Sequence, residues 1–199
     1  MLVVLNGLLG GNRASDKHRM VPPFLSQNLL LMKFYAKKIC ITSIFIFTVA
    51  SLYAQKITNG SFHILANESS VYLSIDYVDS KIAKIPFDIF IEGEDNWDEG
   101  YRDITKKLIM SANKKSHGIK YISKKTENYQ LVLKVIKVDN DGETRGNLLL
   151  LDKDDNVIAV AESFYAEGGR FGSQMNLMSD AAERLGGKIA VFIKKQIKH

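Results

Sequence analysis

The residues that could do chemistry in this 199-residue chain are four histidines, one cysteine, scattered serines and two clusters of carboxylates. A zinc or general-base site needs imidazoles placed on one element at short spacing. After residue 54 the histidines are His63, His117 and His199, spread over three separate segments. They read as structural or solvated side chains. Ser163 and Ser173 lack the glycine-flanked strand-to-helix turn that exposes a serine nucleophile. The lone cysteine, Cys40, lies in an apolar run near the start, so no thiol nucleophile is available to the rest of the chain. No catalytic, cofactor-binding or metal-binding residue is assigned, and an enzyme is not expected.

Asp139, Asp141 and Glu143 flank Gly142, and Asp152, Asp154, Asp155 and Asn156 repeat the pattern one segment later. Such clusters suggest calcium, but neither follows the twelve-residue ligand order of an EF-hand. Asp, Asn and Gly are also what a hairpin turn requires. The turn reading is preferred, with a calcium-binding domain kept as an alternative. A third feature is Gly168-Gly169-Arg170-Phe171-Gly172. Its glycines allow positive φ, while Arg170 and Phe171 place a cation beside an aromatic. These two are the candidate recognition residues; the alternative is a connector with Phe171 tucked against a sheet. No Gly-Lys-Ser/Thr follows, so this is not a phosphate loop, although the next helix start could attract an anion.

The elements that must position these residues begin after a leader. From Met32 the chain passes through Lys33, Lys37 and Lys38, an apolar run from Ile39 to Tyr53, then Ala54 and Gln55. Basic, apolar and small, in that order, is the grammar of a secretory signal peptide. The run falls short of the ~20 apolar residues that span a bilayer, and Thr42, Ser43, Thr48 and Ser51 dilute it. Cleavage is expected between Ala54 and Gln55, with Ala50 as the alternative. Residues 1–31 read as a mis-assigned extension, with translation starting at Met32. The exported part, 55–199, is one domain.

The formal charge of +5 belongs to the segment through Ala54, extension and leader together, where Arg13, Lys17, Arg19, Lys33, Lys37 and Lys38 stand against Asp16. Beyond it, acids and bases balance, so nothing points to nucleic acid as a partner. Membrane contact is expected only through the transient leader. Lys37, Lys38 and Ile39 precede Cys40 where a lipoprotein signal would carry apolar and small residues. The exported domain is free of disulfides and must depend on its core.

Phe62, Ile64 and Ala66, then Val71, Leu73, Ile75 and Tyr77, alternate with polar positions. Period two predicts two half-buried strands joined by a turn. The stretch from Val78 to Gly93 contains Pro86 and reads as an extended edge or covering loop. Trp97, Tyr101, Ile104, Leu108 and Ala112 share one helical face, with Asp95 or Asn96 to cap it, Asp98 and Glu99 in the first turn and Lys114 and Lys115 in the last. A short strand at 119–123 and a meander over 129–138, 147–152 and 157–165 follow. A final helix runs over about 175–197, interrupted by Gly186 and Gly187, which are read as permitting close approach to the sheet. The acidic start and basic end of the middle helix read as a solvated face that complements the helix dipole, with a bipolar face that docks a partner as the alternative. The order is β-β-α-β-β-β-β-α. The expected fold is α+β, a small antiparallel sheet with two helices packed on one face.

Taken with Ala54-Gln55-Lys56-Ile57-Thr58-Asn59-Gly60, the strand Val71 to Tyr77 ending in Asp76-Tyr77, the Trp97 helix and the closing helix Ala181 to Lys195, the chain resembles a family of small exported proteins of Gram-negative bacteria whose function is unknown. The resemblance covers most of 55–199 and implies fold and compartment but no active site. The topology is also similar to envelope-assembly accessory domains. The function expected is that of a non-catalytic cell-envelope protein, periplasmic or secreted, binding another envelope protein or a ligand. The alternative is a small hydrolase or ligand carrier with a site built from Asp, Glu and Tyr.

Overall fold

The computed structural model describes residues 55–125 and 128–198, so the extension at 1–31, the leader at 32–54 and His199 lie outside the described residues. In chain order the strands are β1 (Lys56–Gly60), β2 (Ser70–Asp76), β3 (Lys81–Ile82), β4 (Ile85–Pro86), β5 (Lys120–Ile122), β6 (Gln130–Val138), β7 (Thr144–Leu151) and β8 (Val157–Ala166). The helices are α1 (Phe87–Glu92), α2 (Trp97–Lys115) and α3 (Gln174–Ile197). The fold is α+β, and its open sheet runs β1-β8-β7-β6-β2-β5 with β3 and β4 joined beside β6.

Alternation in the meander does what period two requires. Rows cross the sheet as Ile75–Leu133–Leu148–Ala161 and Leu73–Leu131–Leu150–Ala159. All eight are buried to within 1% of full exclusion from solvent. The residues between them, among them Ser74, Val132 and Leu149, stay half-exposed on the opposite face. One face is therefore covered by α2 and α3, and the other is left open by the described helices.

The sheet is mixed, not wholly antiparallel as expected. β2 pairs in parallel with both β5 and β6. The cause is connectivity: the chain leaves β2, passes through α2 and returns alongside, and a crossover of that length yields a parallel neighbour. The tight hairpin expected at 62–77 does not form. Residues His63–Asn67 make a 3-10 turn, and the partner strand lies earlier, at β1 against β8. Phe62 and Leu65 are fully buried three residues apart, while Ile64 is 41% exposed. Over five residues a period of three and a period of two are hard to separate, and burial selected the first.

The stretch around Pro86 is also more ordered than a covering loop. Pro86 stands at the N-cap of α1, where its fixed φ suits a helix start and Asp88 meets the first turn. Phe87 and Phe90 of that helix meet Trp97 at ring separations of 5.2 and 6.2 Å, and Tyr77 and Tyr101 approach the same indole at 5.9 and 5.7 Å. The Tyr101 hydroxyl donates to the Ile75 carbonyl at 2.7 Å. This aromatic group clamps α1 and the start of α2 to the end of β2.

Helices α2 and α3 run side by side in the same direction. Gly100 lies against Met175, Ser179 Oγ donates to Asp103 Oδ2 at 2.8 Å, and further along Gly186 lies against Leu108. A Cβ on Gly186 would stand 2.0 Å from the Leu108 carbonyl oxygen. The close approach that glycine permits is thus to α2, not to the sheet. Asn96 occupies the N-cap of α2 without a side-chain cap bond, whereas Ser173 caps α3 by accepting from the Asn176 amide. No described helix is long and apolar enough to cross a membrane.

Candidate functional site

Strand β8 and helix α3 are joined by 167–173, and the glycines there are held, not loose. A Cβ on Gly168 would come within 2.1 Å of the Asp141 carbonyl oxygen, so this part of the link presses on the β6–β7 turn. At the other end Gln174 Nε2 donates to the Asp139 carbonyl at 3.0 Å, and Leu177 N donates to Ser173 O at 3.1 Å. Gly172 takes φ +122°, a value closed to most L side chains. Both ends of the loop are fastened to the same turn. Between them Phe171 is 88% exposed. It does not tuck against the sheet. Arg170 beside it is exposed too.

The β6–β7 turn that supports this loop uses its own carboxylates. Asp139 pairs with Lys137 at 2.6 Å, Glu143 pairs with Arg145 at 2.6 Å, and Asp141 accepts from the Glu143 amide. Tyr165 donates to the other Glu143 oxygen at 3.2 Å. Gly142 closes the turn at φ +76°. The β7–β8 turn is similar. Asp152 accepts from the amides of Asp154 and Asn156 at 2.9 Å each, and hydrogen bonds from Asn156 hold its carboxyl below the usual carboxylate range. Asp155 accepts from Lys125 at 2.8 Å and from Gln130 at 2.7 Å, and these bonds lower it likewise. Each cluster is directed at its own backbone and neighbouring cations, which is how an Asx-type turn is built. Among the described residues no group of three or more His, Cys, Asp or Glu is arranged to hold a metal ion.

The remaining candidates stand apart. His63 is exposed beside the end of α3, with Nδ1 3.4 Å from the Gln196 carbonyl, and His117 is exposed after α2. Ser163 lies at φ +68° in β8, where the register with β7 shifts, and lines a shallow hollow with Arg145 and Tyr165. Ser173 is a helix cap. The groups with raised pKa are buried phenols: exclusion from water pushes Tyr77 and Tyr121 far above the ordinary tyrosine value. These shifts come from folding a phenol into the core.

One cluster was missed by the sequence reading. Arg184, Lys188, Val191 and Lys195 fall at spacings of 4, 3 and 4, on one face of α3. They border a cavity of about 620 Å³ whose far wall is Ser111 and Lys115 of α2. The spacing was visible, but lysines near a helix end, such as Lys194 and Lys195 here, are also what the helix dipole favours.

No family model matches the sequence, and no curated protein matches it. Among solved structures, an uncharacterised protein is similar with TM-score 0.37 and 10% identity, over 65% of this chain and 92% of that one. The PelC dodecamer from Paraburkholderia phytofirmans is similar with TM-score 0.33 and 13% identity, over 67% and 96%. A DUF330 protein from Xanthomonas campestris gives 0.33 and 11%, over 65% and 87%. Likeness at this level brings neither activity nor partner to the chain.

Proposed function

We propose that this is a non-catalytic exported protein of the cell envelope, a binding or assembly module that engages its partner through Arg170 and Phe171. The observation that carries the reading is Phe171, 88% exposed on a loop fastened at both ends. An aromatic carried on backbone anchored at both sides spares a partner the cost of ordering the loop, and an adjacent arginine adds a directional cation. Replacing both residues by alanine tests it. Capture of a partner from the envelope by the tagged protein is expected to fall by about tenfold or more, the loss of one aromatic anchor, with the melting temperature held. Unchanged capture would reduce the loop to a connector.

Export rests on the Met32–Ala54 pattern and has its own test. The intact mass of the exported chain is expected to correspond to a start at Gln55, or at Ser51 for the alternative cleavage after Ala50. A product that keeps residues before 50 would sink the leader assignment.

A further inference from the structure

Gly186 and Gly187 are adjacent in mid-helix but do different work. Gly186 is required by the approach of α2, as its missing Cβ shows. Gly187 is under a weaker demand: a Cβ there would press on the Ser111 hydroxyl at 3.3 Å, a side-chain oxygen that can rotate away, and touch Lys115 Cγ at 3.7 Å. A helix-interior glycine that no backbone contact demands lowers stability relative to alanine. What Gly187 does is leave the floor of the 620 Å³ cavity bare.

The walls of that cavity are cationic. Arg184, Lys188 and Lys195 of α3 and Lys115 of α2 border it, with no acid among the lining residues. Glu167 is the carboxylate that reaches this group, 3.6 Å from Arg184. Lys188 is fixed in place, donating to the Tyr165 carbonyl at 2.6 Å with its ammonium 5.4 Å from the centre of that ring. Burial draws its pKa below the ordinary lysine value, with Glu167 opposing and Arg184 adding to the effect. The helix dipole accounts for cations in a last turn only. Arg184 and Lys188 lie well before Ile197, the last residue of α3. Arg184 and Lys188, four residues apart, are like charges that oppose one another on the helix, and Glu167 offsets Arg184 alone; none of the ion pairs described reaches Lys115, Lys188 or Lys195. Beside it Val191 is 42% exposed, and the edge of Phe192 reaches the cavity.

We infer that this cavity binds an anionic amphiphile, whose phosphate or carboxylate head meets Lys115, Lys188 and Lys195 and whose apolar portion lies along Val191 and Phe192. The three ammonium groups supply charge-assisted hydrogen bonds, and the bare glycine floor admits the ligand between the helices. This goes beyond the Arg170–Phe171 reading and uses a different surface.

Calorimetric titration of the full chain, recovered from an expressing cell, with monomeric octyl phosphate tests the inference. Saturable binding of one molecule per chain is expected, weakened about tenfold or more in the Lys188→Gln, Lys195→Gln double variant. Gly187→Met, which fills the floor and leaves every cation in place, is expected to weaken binding similarly with the melting temperature held. Inorganic phosphate is expected to bind more weakly than octyl phosphate; equal affinity overturns the apolar half of the site. Absence of saturable binding, or binding that both variants leave unchanged, overturns the whole.

Phosphatidylglycerol vesicles separate the sources of such a head group. Vesicle binding lost with Gly187→Met assigns a lipid, and octyl phosphate binding without vesicle binding assigns a soluble ligand. Vesicle binding that survives Gly187→Met, with no response to octyl phosphate, is general surface attraction and overturns the inference. The Arg170→Ala, Phe171→Ala variant is expected to bind octyl phosphate as the parent does, so failure of the loop reading and failure of this one are distinguishable.

Discussion

Gly186→Ala is expected to destabilise the protein by about 2–3 kcal/mol, although alanine is the better helix former by about 1 kcal/mol. The added Cβ would stand 2.0 Å from Leu108 O and 2.9 Å from Leu108 C, and both belong to helix backbone that cannot turn aside. To admit it, α2 and α3 must move apart along their shared length. That loosens the packing of Leu108, Ala112, Leu185 and Ile189, all essentially excluded from water. Gly187→Ala is the control. Its Cβ meets the rotatable Ser111 hydroxyl at 3.3 Å and the Lys115 stem at 3.7 Å, and no backbone, so with the hydroxyl turned aside it is expected to be neutral or stabilising by up to about 1 kcal/mol. Chemical denaturation of the two variants reads the difference directly. Equal midpoints would show that the helices do not touch as described.

Phe192→Ala is expected to cost about 3–5 kcal/mol, a large share of the roughly 5–15 kcal/mol that holds a domain together. Its ring stands edge-on to Phe62 at 5.3 Å and to Phe164 at 5.4 Å. Three segments far apart in sequence, the turn after β1, strand β8 and helix α3, therefore meet on this side chain. Truncation removes the transfer energy of one ring and leaves a cavity that two fully buried rings cannot both close. The measurement is the denaturation midpoint. A loss under about 1 kcal/mol would mean that the end of α3 is not docked on β8.

The order of the elements after Trp97 was legible because each carried several agreeing signals. The face of α2 was written in Trp97, Tyr101, Ile104, Leu108 and Ala112, and the acids and lysines at its ends agreed with it. The meander was written in alternation with Asp-Asn-Asp-Gly and Asp-Asn turn chemistry. Where signals were few, the reading failed. Five residues at 62–66 fit a strand and a 3-10 turn equally well, and only the burial of Phe62 and Leu65 decided. Pro86 suggested an edge, and Ile85–Pro86 is one, paired with β3 alone; what the reading lacked was the helix that follows, because proline also opens helices and Phe87 and Phe90 needed Trp97 as a partner before α1 had a reason to form.

The candidate surfaces divide the same way. Arg170 and Phe171 were singled out by residue type alone, because glycines beside a cation and an aromatic form a local pattern. Their exposure was not local. It follows from Gly168 lying on Asp141 and Gln174 on Asp139, contacts made across nearly thirty residues or more of chain. The cationic cavity was less visible still, since Lys115 joins Lys188 and Lys195 only when two helices run side by side.

By itself, the sequence determined what depends on near neighbours: the α+β class, the long helices and their polar ends, the turns that consume their own carboxylates, and the balance of charge after residue 54. Only the tertiary structure decided what depends on distant partners. It set β2 parallel to β5 and β6, aimed Gly186 at α2 and not at the sheet, and left Gly187 bare between lysines. The physical reason is that hydrophobic period reports which side of an element is buried but carries no information about what buries it. Pairing and helix contact are settled by the packing of side chains that meet only after the chain has folded.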